Sequence, residues 1–378
     1  MNIDNETLAK WANDPKGPVA LHLKQTLTSV ECHSKDDRCI IYPPTYADIG
    51  YNIDELTDGK TVALVDSVGS QANRMEPYFI CDDPDPSKWL VPQVKIKINE
   101  DTTLSLLELA HRGADAVVRS SGSLSTKIDE AFKELKKTGN AFKLCVIAPT
   151  SLLFGVWDSR GSNEKLPRLV RSIIRAWNVD VLHSAAQFNS IDKLLDDKQD
   201  AELIKATGKT GKAATDALSS KGFKDSPATF YPKSDRRILG GVLVNGGIIR
   251  DITINLVALR GINGGTEEET KQLRNYLLGL ALMAATAEIE LFLREGCNLR
   301  IVDAGKWHVV PRSGGPDEIQ LAGKAAKTAI EEFASTSAAP FRAKWNQAIG
   351  ETMDFAFDLK LAKDLLKKKT EEEQTAPE

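Results

Sequence analysis

Residues 61–77 read TVALVDSVGSQANRMEP, and this stretch is the most informative part of the chain about both fold and binding. Its first five residues are apolar and largely β-branched, which is typical of a strand. Ser67 and Ser70 are both suited to capping the start of a helix, so a strand, a small-residue turn and a helix are predicted. Backbone N–H groups at such a helix start are unpaired and attract phosphate. On chemistry alone, an ordinary turn with a solvated polar face explains the same residues.

The composition is that of a soluble globular protein, with 378 residues, 42% hydrophobic and 27% charged. No apolar run reaches 18 residues, and the N-terminal sequence MNIDNE lacks the apolar core of a signal peptide. The five cysteines are scattered without a C-x-x-C pair, which disfavours a zinc site or a disulfide framework. We therefore expect reduced thiols, no membrane association and a cytoplasmic location.

The charge is unevenly distributed along the chain. Residues 160–237 hold 15 Lys/Arg against 10 Asp/Glu, a net of +5, so the rest carries −9 of the total of −4. A pI near 5.9 argues against a generally basic nucleic-acid binder. The concentration of positive charge in one region instead fits a single polyanion-binding face.

The residue pattern predicts a mixed structure of helices and strands. Residues 1–60 are predicted to be irregular, with a short helix near 5–13 followed by extended segments. Residues 168–182 fit a helix or a strand, with β-branched content favouring the strand, and either places Arg171 and Arg175 on a common side. Asn245-Gly246 between two β-prone runs predicts a hairpin over 240–256. Further strands are predicted at 61–67, 94–98, 142–157 and 299–302, and helices at 70–80, 104–120, 125–137, 267–295, 317–335 and 342–366.

This order predicts an α+β fold, a ferredoxin-like (RRM-like) βαββαβ palm with long insertions and a helical C-terminal part. Residues 204–237 read as a loop, with eight Lys/Arg against three Asp. The aromatic signature of the ordinary RRM is absent, so any RNA binding should rest on backbone and basic groups. The predicted parts are a palm at 61–182 and 238–303, a helical insertion at about 100–140, a basic thumb-like insertion at 190–237, C-terminal helices at 304–366 and a charged tail at 367–378.

No pattern of catalytic or metal-binding residues emerges. Gly208-Lys209-Thr210 lacks the upstream glycine of a phosphate-binding Walker motif, because position 203 is Leu. The five histidines are far apart in the sequence and show no metal-ligand spacing. We therefore expect a protein that is not an enzyme and needs no cofactor or metal.

Four blocks in one order resemble the backbone subunit of the type I-G (formerly I-U) CRISPR Cascade complex, of the RAMP superfamily. They are SVGSQANRME at 67–76, HRGADAVVR at 111–119, APTSLLFGVWDSRG at 148–161 and KLPRLVRSIIRA at 165–176. Beyond residue 260 the resemblance is looser.

The resemblance implies a non-catalytic subunit that polymerises along CRISPR guide RNA and presents it for pairing with target DNA in antiviral defence. The implied partners are guide RNA, target DNA, other copies of the chain in a helical filament, and the large and 5′-end-capping Cascade subunits. An alternative is a RAMP endoribonuclease that processes CRISPR RNA, which needs a His, Tyr or Lys acid/base group at a 2′-OH. A third interpretation is a soluble metabolic enzyme, which the absence of catalytic and metal-binding motifs disfavours.

The residues predicted to bind RNA are the polar side chains of the first block and the basic side chains of the other blocks and of the thumb-like segment. They are Ser67, Ser70, Gln71, Asn73, Arg74, Arg112, Arg119, Arg160, Lys165, Arg168, Arg171, Arg175, Lys209, Lys212, Arg236 and Arg237.

Overall fold

The computed structural model describes residues 3–34, 37–159, 161–183, 187–188, 190–191, 194–227 and 239–375. Its helices are α1 (Asn5–Asn13), α2 (Val68–Met75), α3 (Ala116–Arg119), α4 (Gly122–Thr138), α5 (Phe142–Ile147), α6 (Pro149–Leu153), α7 (Asp197–Ala206), α8 (Gly211–Ser220), α9 (Leu256–Arg260), α10 (Glu267–Thr286), α11 (Lys324–Ala348) and α12 (Leu359–Thr375).

The strands of the same residues are β1 (Ala20–Ser29), β2 (Cys39–Ile41), β3 (Thr45–Tyr46), β4 (Gly50–Tyr51), β5 (Ile53–Glu55), β6 (Thr61–Asp66), β7 (Lys95–Lys97), β8 (Thr103–Ser105), β9 (Val156–Trp157), β10 (Lys165–Leu166), β11 (Val170–Trp177), β12 (Val179–His183), β13 (Gln187–Phe188), β14 (Ser226–Pro227), β15 (Leu239–Val244), β16 (Ile248–Asn255), β17 (Phe292–Arg294), β18 (Cys297–Asp303), β19 (Trp307–Val310), β20 (Asp317–Ile319) and β21 (Asp354–Ala356).

Four strands form the centre of the main sheet, in the order β18-β1-β16-β11, and all of their pairings are antiparallel. If these strands are counted along the chain, the order is 4-1-3-2, the arrangement of a ferredoxin-like βαββαβ sheet. Helix α10 connects the third of these strands to the fourth. The predicted α+β fold with a ferredoxin-like palm is therefore confirmed.

The first palm strand is β1, which lies inside the segment expected to be irregular. Its residues alternate between buried and partly exposed along their whole length, as a strand covered on one face does. The predicted strand at 61–67 exists as β6, but it is added at the edge of the palm beside β11. Extended segments are predicted here, but prolines and polar residues on both sides of β1 give no sign that one of them is a central strand of the palm.

The hairpin predicted over 240–256 is wrong, since β15 and β16 pair with different strands. β16 pairs with β1 and β11, whereas β15 pairs with β12 and β2. The result is a long two-stranded ribbon that passes from the β11–β16 pair to the β12–β15 pair. It bends where Asn178 has a left-handed φ of 50° and the Gly246 N–H donates to the Trp177 carbonyl at 2.7 Å. The chain between β12 and β15 is thereby inserted at the far end of the ribbon.

Two further segments expected to lack helices contain them. The apolar run 142–157 is predicted to form strands, but most of it forms α5 and α6. A short run that is buried on all sides has no period by which a helix and a strand can be told apart. The segment 204–237 is predicted to be a loop, but it contains the end of α7 and all of α8. Ala214 and Leu218 of α8 are buried.

Several boundaries also differ from the predictions. The segment 104–120 holds the end of β8, two 3₁₀ turns and α3 in place of one helix, and α10 ends at Thr286. One helix, α11, replaces the break expected between 335 and 342 and includes Pro340. The strand at 168–182, the helices near 5–13 and 125–137, and the strands at 94–98 and 299–302 are confirmed with small shifts.

The two faces of the main sheet differ in what covers them. One face carries two hydrophobic clusters, one beneath α10 and α11 and one beneath the small β12-β15-β2 sheet. Between the clusters lies a buried polar layer, in which Arg250 donates to Gln71, Ser172 and Gln25. The alternate residues of β1 and β16 on the opposite face are exposed or partly exposed. We call this second surface the bare face.

Candidate nucleic-acid interface

The start of α2 has the geometry that residues 61–77 predicted. The Ser67 hydroxyl accepts a hydrogen bond from the Ser70 N–H at 3.2 Å and so caps the helix. The N–H groups of Val68 and Gly69 have no hydrogen-bond partner in the described part of the chain. A Cβ placed on Gly69 would lie 4.0 Å from Nη2 of Arg168, so this guanidinium stands beside the open helix start.

Two arginines and the helix start converge on one cavity, which we call the phosphate cavity. Its volume is about 310 Å³, and it is lined by Val68, Arg168, Arg171, Thr253 and Asn255. Arg171 lies opposite Thr253 in the β11–β16 register, on the bare face. Within the described residues, neither guanidinium group has a hydrogen bond or an ion pair. Two unpaired cations and open N–H groups favour an anion such as a phosphate.

Arg175 extends this positive surface along β11. The register places Arg175 opposite Ile249 and Arg171 opposite Thr253, so both arginines lie on the bare face, as predicted. On neighbouring β1, His22 and Lys24 lie 3.4 and 4.0 Å from Asp251, which offsets part of the positive charge there. Arg171 and Arg175 themselves have no acidic partner among the described residues.

A second cavity adjoins the first, and we call it the tryptophan cavity. It measures about 340 Å³ and shares Arg168 with the phosphate cavity. Trp157, Lys165, Ser159 and His111 also line it. The Lys165 ammonium lies 5.8 Å from the centre of the Trp157 ring. Trp157 is not among the residues predicted to bind RNA. It lies in the third block, but it is not part of the RRM aromatic signature, which this sequence lacks.

Other predicted RNA ligands have internal partners. Gln71 is fully buried, donates to Asp66 at 2.6 Å and accepts from Ser172 at 2.7 Å. The Arg74 guanidinium donates to Asp66 at 3.1 Å, and also to the carbonyls of Phe292 and Leu293. Both side chains therefore join α2 to the sheet.

Arg112 and Arg119 are also buried, and each is paired with a carboxylate. Arg112 Nε lies 2.7 Å from Oε2 of Glu76. Burial raises the pKa of Glu76 to about 7, and the positive charge of Arg112 opposes that rise. Arg119 pairs with Asp129 and, at 2.5 Å, with Asp158.

These ion pairs link the sequence blocks to each other. Arg112 joins the second block to Glu76 in the first, and Arg119 joins the second to Asp158 in the third. RNA binding by Gln71, Arg74, Arg112 and Arg119 stays a prediction, and their internal hydrogen bonds and ion pairs argue against it. No sequence signal separates these residues from the surface arginines, because Glu76 and Asp158, which pair with Arg112 and Arg119, lie in other blocks.

The remaining predicted ligands lie at the surface or outside the described residues. Asn73 is exposed at the end of α2 and accepts from Arg112 at 3.2 Å. Lys209 and Lys212 are exposed around the turn between α7 and α8. Arg160, Arg236 and Arg237 fall outside the described residues.

In the described ranges no group of three or more His, Cys, Asp or Glu side chains could hold a metal ion. Cys32, Cys39, Cys81, Cys145 and Cys297 are all free thiols. No helix in this part of the chain is long and apolar enough to cross a bilayer.

Residues 21–181 match the family model described as CRISPR-associated protein GSU0053 (Cas_GSU0053). This segment is similar to CRISPR-associated proteins. It runs from β1 into β12, and includes the four blocks, both cavities' arginines and Trp157. The match supports a role in CRISPR defence. No curated protein matches the chain.

Proposed function

We propose that this protein is a non-catalytic backbone subunit of a type I-G Cascade complex, which polymerises along CRISPR guide RNA. The observation that carries the proposal is the phosphate cavity, where unpaired Arg168 and Arg171 meet the open start of α2. Arg175 continues the positive charge along the bare face. The family match supports the CRISPR context, and the four sequence blocks support the backbone role.

The chemistry of this surface suits RNA of any sequence. Guide RNAs differ in sequence, so a coating protein must hold phosphates and leave the base edges free for pairing. Arginine forks and backbone N–H groups bind phosphate oxygens without reading bases. In this proposal the exposed edges then pair with target DNA. Further copies of the chain and the large and 5′-end-capping subunits complete the complex.

Co-expression with a CRISPR array tests the proposal. The wild-type protein should co-purify with RNA that resists added nuclease, in particles much larger than one chain. The combined variant Arg168→Ala, Arg171→Ala and Arg175→Ala should purify folded but without protected RNA. A control with equal loss of charge is Lys10→Ala, Lys97→Ala and Lys327→Ala, three lysines that are exposed and distant in sequence from the cavities. Protected RNA in both variants would contradict binding at this face.

One pair of residues, His111 and Asp115, supports a test of the endoribonuclease alternative. His111 lines the tryptophan cavity, and its Nδ1 lies 3.4 Å from Asp115. A histidine held by a carboxylate is the type of group that could remove a proton from a 2′-OH. Incubation of the purified protein with precursor CRISPR RNA decides between the two functions. Cleavage that His111→Ala abolishes would favour the nuclease, and intact RNA in both samples would favour the backbone subunit.

A further inference from the structure

Trp157 is an unusually exposed aromatic side chain. It retains 58% of its accessible surface, whereas Trp11, Trp307 and Trp345 are each at most 6% exposed. It lies on the two-residue strand β9, opposite Lys165 of β10. The ring also lines the tryptophan cavity, so a ligand that enters this cavity can contact it.

The hairpin that carries Trp157 is fixed by contacts of the neighbouring residue, Asp158. The next residue, Asp158, is fully buried, pairs with Arg119, and accepts from both the backbone and the hydroxyl of Ser162. Its N–H donates to the Glu164 carbonyl at 2.9 Å, which closes the turn. These contacts fix the backbone that carries Trp157. Binding of a ligand to the ring therefore costs little conformational entropy of the protein.

The cavity beside the ring is lined by cationic side chains and shares Arg168 with the phosphate cavity. Lys165 lies against the ring, and Arg168 borders both cavities. A single nucleotide carries an aromatic base and a phosphate joined by one sugar, which matches a ring and a guanidinium side by side.

We propose that Trp157 stacks on one base of the RNA bound to each copy, while Arg168 holds an adjacent phosphate. This inference rests on the proposed function and adds a base contact to it. Stacking on a base face is independent of sequence and leaves the pairing edge open, so it is compatible with variable guides. It contradicts the expectation that binding rests on backbone and basic groups alone.

The test measures the affinity of the full-length protein for a single-stranded RNA just long enough to bind one copy of the protein. The affinity is measured across a range of salt concentrations. Trp157→Ala should weaken binding about 5- to 100-fold with an unchanged salt slope, as expected for loss of one stacked base. Arg168→Ala should instead lower the salt slope by about 0.7, as expected for one phosphate contact on a single strand. Trp157→Phe should retain most of the affinity, and Leu359→Ala is a control that truncates an apolar side chain 60% exposed elsewhere.

An abasic oligonucleotide of the same length isolates the base contact. The wild type and Trp157→Ala should bind it equally, because it offers phosphates but no ring. Equal weakening on intact and abasic RNA would overturn stacking, as would full affinity of Trp157→Ala for intact RNA. A change in the oligomeric state of RNA-free Trp157→Ala would assign the ring to a contact between copies and also overturn it. Failure of the wild type to bind any RNA would overturn the proposed function itself.

Discussion

Arginine side chains in the matched segment fall into two groups that the sequence does not distinguish. Arg74, Arg112 and Arg119 point to carboxylates inside the protein. Arg168 and Arg171 line a cavity without an acidic partner among the described residues. A buried cation requires a partner, because the desolvation of an unpaired charge is very costly. Surface arginines have no such requirement and are available to an external anion.

Replacement of Arg112 tests the structural group. Arg112→Met should lower the free energy of unfolding at neutral pH by about 3–5 kcal/mol, because Glu76 loses its cation and must either stay charged in a buried site or take up a proton. Chemical denaturation measures the loss. The double variant Arg112→Met, Glu76→Gln should recover part of it, since the uncompensated charge is then removed. If Arg112→Met kept full stability but lost RNA, the side chain would be a ligand after all.

Glu76 should also make stability depend on pH. Burial raises its pKa to about 7 in the folded protein, above the ordinary value of 4.5. The folded state therefore holds this proton more tightly, so the free energy of unfolding should fall as pH rises from about 4.5 to 7 and then level off. The difference between wild type and Glu76→Gln, from denaturation at several pH values, should show this fall. Parallel pH profiles of the two proteins would contradict it.

At the scale of elements, the β11–β16 and β12–β15 pairs form one bent ribbon with an insertion at its end. The described part of the insertion includes α7 and α8, with Lys209 and Lys212 exposed around the turn between them. Few residues of these helices are buried, so little apolar surface opposes their local opening. The exposed Lys209 and Lys212 at this turn are suited to contact RNA.

Limited proteolysis tests that behaviour. Trypsin should cut the free protein first after Lys209 or Lys212, and guide RNA should slow these cuts at least several-fold. Mass spectrometry of the first fragments identifies the sites, and Lys271, which is paired with Glu267, serves as an internal control. Cutting at equal rates with and without RNA would mean that the insertion does not contact RNA.

At the scale of the whole molecule, the face of the sheet without a hydrophobic cluster leaves a surface for an extended ligand, although Ile173 of β11 is buried on that face. Both hydrophobic clusters lie on the covered face, so the bare face contributes little to the core and can carry polar and charged side chains. RNA laid along this face could pass from one copy to the next, as the proposed filament requires.

A change in guide length tests the filament. In the proposed filament each copy covers a fixed length of RNA backbone, so a longer CRISPR RNA should bind more copies of the chain. Native mass spectrometry of complexes made with guides of several lengths should show whole-copy increments. The same number of copies on every guide would contradict a filament.

The sequence by itself determined the class of fold, the strand and helix start at residues 61–77, and the strand that carries Arg171 and Arg175. These features depend on neighbours along the chain, through β-branched runs, capping residues and alternation. The tertiary structure alone decided which strand is central, that the Asn245-Gly246 turn joins two different sheets, and which arginines turn inward. Each of those outcomes depends on partners far away in sequence, such as β1 against β16 and Arg112 against Glu76. Local propensity contains no term for such contacts, because burial and pairing of charges exist only once the chain has folded.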